Sequence, residues 1–109
     1  MYVVRRRVMT QPGKAWEVAG YLSKICGAYE ELPQGRDGAL VYIGGQGLPG
    51  EQNVVYAQWL QERIEPIPPG GVPEGVRVNH AKMAEVMTEY TIDLFEVATP
   101  EKLKYRGLD

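Results

Sequence analysis

Cysteine and histidine are almost absent from this 109-residue chain, which holds one of each, Cys26 and His80. A disulfide framework needs paired cysteines, and a structural zinc site needs about four Cys or His ligands, so both are excluded and no bound metal is expected. Positive charge is not in excess either: 12 Lys and Arg stand against 14 Asp and Glu, a formal charge of −2. No global basic field exists to gather nucleic acid or anionic lipid. Long apolar runs are missing as well. No stretch approaches the roughly 20 residues of a membrane span, and the charged N-terminal segment does not lead into the apolar stretch of a secretion signal. The expectation is a cytoplasmic protein with neither nucleic acid nor membrane as partner. The length admits one core only, leaving no second lobe for a nucleotide cofactor, and no cofactor is expected. What is present, 44% apolar and 24% charged residues, is the composition of a folded globular chain.

The opening segment from Tyr2 to Met9 is rich in β-branched residues and stops at Gln11-Pro12-Gly13, which predicts a strand running into a helix start, with Pro12 in the first helical turn. Ala15, Val18, Leu22, Ile25 and Tyr29 then recur at three- and four-residue steps, the spacing of one helix face. Leu32 to Gly38 breaks that helix, and Ala39 to Ile43 predicts a short strand. After a glycine-rich stretch, Asn53 to Leu60 reads as its hairpin partner. Pro66 to Pro73 cannot sustain a helix or a central strand, so residues 66–78 are expected as an irregular arm. Asn79 then suits the N-cap of a second helix carrying Met83, Met87 and Tyr90. Thr91 to Val97 predicts a fourth strand, closed by Pro100 before a charged tail over 101–109. The order is β-α-β-β-α-β over a single domain, 1–100: an α+β, ferredoxin-like antiparallel four-stranded sheet with two helices on one face.

Two helices cover one face of such a sheet, which leaves the other to water or to a partner. Leu40, Val41, Tyr42 and Ile43 are apolar on both sides of the second strand, and the third is apolar on both sides as well, through Val55, Ala57 and Trp59 against Tyr56 and Leu60. Each large side chain left in water would forgo roughly 1.5–3 kcal/mol. A second subunit packed sheet to sheet is therefore expected, with Val55 as an interface-facing position. On the strand-to-helix passage Gln11-Pro12-Gly13-Lys14, the apolar Leu40-Val41-Tyr42-Ile43 and the aromatic Val55-Tyr56-Ala57-Gln58-Trp59, the chain resembles the dimeric α/β-barrel superfamily, with its antibiotic-biosynthesis-monooxygenase-like and NIPSNAP-like small proteins. The resemblance spans Tyr2 to about Pro100. It implies a homodimer closed into an α/β barrel, and a range of roles that includes cofactor-free monooxygenases, haem-degrading monooxygenases and small isomerases.

In the resembling monooxygenases a Trp on the third strand, a His on the second helix and an Asn on the first strand line a cavity. Trp59 and His80 lie on matching elements, whereas the first strand offers Arg5, Arg6 and Arg7 and no Asn. His80 is the candidate catalytic base, with a surface or capping role as the alternative. Arg5, Arg7 and Trp59 are the candidate substrate-binding residues, an aromatic wall beside an always-charged fork; the alternative pairs an arginine with Asp93 or Glu96. Gly45 to Gly50 spells G-x-G-x-x-G, but a strand follows where phosphate binding needs a helix N-terminus, so it is expected as a hairpin loop. Cys26, beside Ile25 on the helix, is expected in the core. Two functions follow. One is a small dimeric barrel protein that binds a small aromatic or carboxylic molecule; the other is a cofactor-independent monooxygenase or isomerase. Whether the chain is an enzyme stays open at this level.

Overall fold

The computed structural model describes residues 1–31, 38–64 and 71–108. The elements are β1 (Tyr2–Thr10), α1 (Ala15–Glu30), β2 (Leu40–Gly44), β3 (Val54–Gln61), α2 (Glu74–Ala84), β4 (Met87–Glu96) and α3 (Pro100–Tyr105). The four strands form one antiparallel sheet in the order β2-β3-β1-β4. This is the ferredoxin-like arrangement expected from the sequence. The two longest strands, β1 and β4, pair along almost their whole length, from Tyr2 opposite Glu96 to Thr10 opposite Met87, with one register shift between Met9 and Thr10.

Side-chain alternation divides β1 cleanly. Val4, Arg6, Val8 and Thr10 point toward the helices, and Val3, Arg5, Arg7 and Met9 point to the open face. On the helix side, Val4 and Val8 meet Val55, Ala57 and Trp59 of β3 beneath Val18, Leu22, Ile25 and Tyr29 of α1, all buried. Burial of these side chains, about 1.5–3 kcal/mol for each large one, is what fixes α1 on the sheet. Val55 is fully buried in this layer, so it faces the core rather than a subunit interface. Cys26 lies in the same core.

Several boundaries differ from the expectation. Pro12 and Gly13 form the turn before α1, with Gly13 at φ +79°, and the helix begins at Ala15. Helix α2 starts at Glu74, after Pro73 in an extended conformation, so 74–78 of the expected arm is helical. Residues 65–70, which include 66–70 of the proline-rich segment, lie outside the described residues, as do 32–37 of the expected helix-breaking stretch. Asn79 sits inside α2, where its Nδ2 donates to the Gly75 carbonyl at 2.7 Å, and caps nothing. Met87 and Tyr90 belong to β4: the backbone of Val86 closes α2 onto Met83, and the chain then extends along β1. Pairing with a nine-residue strand overrides the helical spacing of Met83, Met87 and Tyr90. Pro100 opens α3 instead of closing a strand; Thr99 caps this helix by accepting from the Lys102 N–H. Lys102 Nζ lies 3.1 Å from Glu96 and over the Tyr2 ring, which ties the C-terminal segment to the sheet end. Gly45 to Gly50 is the β2–β3 hairpin loop. A Cβ at Gly45, which has φ +74°, would lie 2.7 Å from the Glu51 carbonyl oxygen and the Gln52 Cα, so glycine is required there.

Candidate functional site

The three consecutive arginines of β1 are distributed by strand alternation. Arg5 and Arg7 share the open face. Arg5 lies over the rings of Tyr56 and Phe95, at 5.2 and 5.3 Å, with an Nη2 3.5 Å from Asp93 directly across on β4. Arg7 donates to Glu51 in the β2–β3 connection at 2.6 Å. That bond holds the guanidinium charge in place and raises the Arg7 pKa from its ordinary value. Beside them Tyr42 stacks on Tyr56 at 5.2 Å and donates its hydroxyl to Gln58. The expected pairing of an arginine with Asp93 is therefore present, while Glu96 is bound by Lys102.

Trp59 is on the opposite side of the sheet. It stands across from Val4, buried under the helices, with its indole N–H donating to Gln61 at 2.9 Å. Trp59 therefore cannot share a pocket with Arg5 or Arg7. The arginine that joins it is Arg6, whose guanidinium carbon lies 5.3 Å from the Trp59 ring centre, 5.8 Å from Tyr90 and 5.9 Å from Tyr29. Strand β3 supplies the Trp, β4 the Tyr90 ring and the last turn of α1 the Tyr29 ring, so one cation is enclosed by three separate elements.

His80 reaches this cluster. Because α2 begins at Glu74, the imidazole lies within the helix and packs edge-on against Tyr90, ring centres 5.8 Å apart. The helix face thus collects Trp59, Tyr90, Arg6 and His80. Sequence reasoning had Trp59 and His80, and missed Arg6 and Tyr90. The signal for Arg6 was available in the period of two: Arg6 alternates with Val4 and Val8, two apolar residues that fit the side covered by helices. Tyr90 was hidden by its assignment to a helix.

The cluster has an apolar border. Ile92 lies directly across from Arg6 and Leu94 across from Val4, on the helix side of the edge strand β4, yet they are 48% and 46% exposed. Helix α1 lies over β3 and β2, and α2 meets β4 at Tyr90, which leaves Ile92 and Leu94 half exposed. Chemically the arrangement offers a permanent cation with in-plane donors, a flat aromatic wall, an imidazole able to take up a proton, and an aliphatic shelf. Among the described residues, no group of three or more His, Cys, Asp or Glu is placed to hold a metal ion, and no helix is long and apolar enough to cross a membrane.

No protein-family model matches the sequence, and no curated protein is similar to it in sequence. Solved structures are similar in fold. An antibiotic biosynthesis monooxygenase superposes with a TM-score of 0.64 at 8% identity, over 91% of this chain and all (100%) of the other. An uncharacterized NIPSNAP domain protein from Burkholderia xenovorans gives 0.61 at 14% identity, over 92% and 97%. A mutant of SnoaB, a cofactor-independent oxygenase from Streptomyces nogalater, gives 0.58 at 11% identity, over 90% and 93%. At these identities the likeness speaks for architecture and leaves chemistry to the site itself. The chain has the ferredoxin-like fold that these monooxygenase-like and NIPSNAP proteins share.

Proposed function

We propose that this chain is a small-molecule-binding protein whose site is the helix-face cleft bounded by Arg6, Trp59, Tyr90 and His80, and that it acts as a sheet-to-sheet homodimer. The observation that carries the site is the convergence of cation, aromatic wall and imidazole on one side of the sheet, next to the half-exposed apolar pair Ile92 and Leu94. The dimer is supported by the opposite side, where Leu40, Leu60 and Phe95 are about half exposed on a face that carries no helix among the described residues. The ligand class is a small aromatic or carboxylic molecule, which fits an aromatic wall beside a fork-shaped donor.

A screen of aromatic acids, phenols and quinones by thermal shift and tryptophan fluorescence tests this reading. Binders should raise the melting temperature and change the emission of buried Trp59, with the exposed Trp16 as an internal reference. The emission change should vanish in Trp59→Phe. A panel without a single binder would overturn the proposal.

A second reading, cofactor-independent oxygenation, is favoured by the fold shared with the Streptomyces oxygenase and by the placement of His80 against Tyr90. There the imidazole accepts a proton from an acidic C–H or O–H of the bound molecule, leaving an electron-rich anion to react with dioxygen. His80→Ala should then abolish oxygen uptake while preserving binding. Oxygen uptake that survives His80→Ala would remove this reading and leave the first.

A further inference from the structure

Three arginines in a row meet different partners. Arg5 has Asp93 and Arg7 has Glu51, each on the open face. Arg6 has no carboxylate within ion-pair distance among the described residues, which sets it apart; its Nε, like that of Arg5, is buried without a hydrogen-bond partner. The acid nearest in register on its own face, Glu96 at the end of β4, is occupied by Lys102 at 3.1 Å.

A guanidinium cannot discharge itself by losing a proton. The rings of Tyr29, Trp59 and Tyr90 stabilise its positive charge through their faces, but a ring face offers no lone pair in the plane of the fork, so no protein acceptor among the described residues meets its Nε–H. What completes such a group is a planar anion that accepts two parallel N–H bonds. A single cation matches a single negative charge, since a dianion would carry one charge uncompensated into a half-buried cleft. Beside Arg6, Ile92 and Leu94 form a half-exposed apolar strip. Two such positions on one strand face are about 7 Å apart, the length of one ring or a short chain.

We infer that the cleft takes an apolar monocarboxylate, with the carboxylate on the Arg6 guanidinium and the apolar body over Ile92 and Leu94. This rests on the reading of the helix-face cleft as the ligand site. An aromatic ring and a short alkyl chain both supply such a body, and the probes separate them.

The test measures dissociation constants by tryptophan fluorescence for benzoate, phenylacetate and hexanoate, each against its neutral amide. The Nε–H signal of Arg6 is followed by NMR in the same titrations. Each carboxylate that binds should do so about tenfold or more tightly than its amide, and should shift the Arg6 Nε–H resonance. The preference should vanish in Arg6→Gln and persist in Arg5→Gln. Tighter binding of the phenyl acids indicates a ring on the shelf, and tighter binding of hexanoate a chain. Should Arg6→Gln fail to fold, the wild-type acid-to-amide ratio and the Arg6 resonance still decide. Equal binding of acid and amide, or a preference that survives in Arg6→Gln, overturns the inference while leaving the cleft as a site for neutral molecules. No binding of any probe up to ~10 mM, which corresponds to less than about 3 kcal/mol, overturns the inference; the wider screen then decides the cleft separately.

Discussion

The two faces of this sheet are made from the same strands and solve the same problem in different ways. On the helix face, Val4, Val8, Val55, Ala57 and Trp59 disappear under α1, and shape does the stabilising. On the open face, Tyr42 stacks on Tyr56, Arg5 bridges the rings of Tyr56 and Phe95, and Asp93 and Glu51 answer the two arginines. That mosaic can tolerate water, yet it still presents Leu40, Leu60 and Phe95. The difference teaches where to look for function. A packed core has little freedom to change, whereas polar groups enclosed in it, such as Arg6, stand out because their surroundings do not require them.

The sharpest way to break the contrast is to damage the packed face. Leu22→Ala removes a side chain with no exposure from beneath α1, and should cost about 2–5 kcal/mol of unfolding free energy in urea titration. On the open face the same kind of change should act on assembly instead. With Leu40→Asp and Leu60→Asp combined, light scattering should report the mass of one subunit at micromolar concentration, while circular dichroism stays that of the folded chain; a persistent dimer would show that this face is not the interface. At the hairpin that Arg7 anchors, Gly45→Ala should lower stability by about 1–3 kcal/mol in thermal unfolding, since the added methyl meets backbone at a left-handed residue.

The smallest effect belongs to the sheet end. The Lys102 ammonium holds the Glu96 carboxyl below its ordinary value of 4.5. A folded-state pKa below the unfolded one gives a contribution that is present above the unfolded value and lost as pH falls through the folded value. Acidification below about pH 4.5 should therefore loosen α3 from β4, read as faster amide exchange at Leu103 and Arg106. Glu96→Gln should show the same exchange at neutral pH, with no further change on acidification.

Much of this architecture was legible because it rests on periodicity. The spacing of Ala15, Val18, Leu22, Ile25 and Tyr29 marked α1, and β-branched runs marked β1 and β3. What was not legible depends on pairing and on end signals. Helix α2 starts after Pro73 without a polar side-chain cap and buries only Val76 and Met83, too weak a pattern to find its beginning. Met87 and Tyr90 carry helical spacing and become strand because β1 offers an edge to extend along. For the site, residue types pointed to Trp59 and His80, but grouping Trp59 with Arg5 and Arg7 required knowing which face of β1 is covered. The alternation of Val4, Arg6 and Val8 held that answer; it becomes usable once the sheet order places β1 between β3 and β4.

The arginine triplet has one more consequence, for folding errors. A slip of β1 by one residue would exchange its two faces. Arg5 and Arg7 would then enter the layer beneath Leu22 and Val18 without Asp93 or Glu51, and Val4 and Val8 would move to the open side. Burying two unpaired guanidinium groups costs several kcal/mol each, far more than mismatched aliphatic contacts alone would. Arg5 and Arg7 thus act as a ratchet on strand alignment, and the one arginine allowed inward is the one ringed by Tyr29, Trp59 and Tyr90.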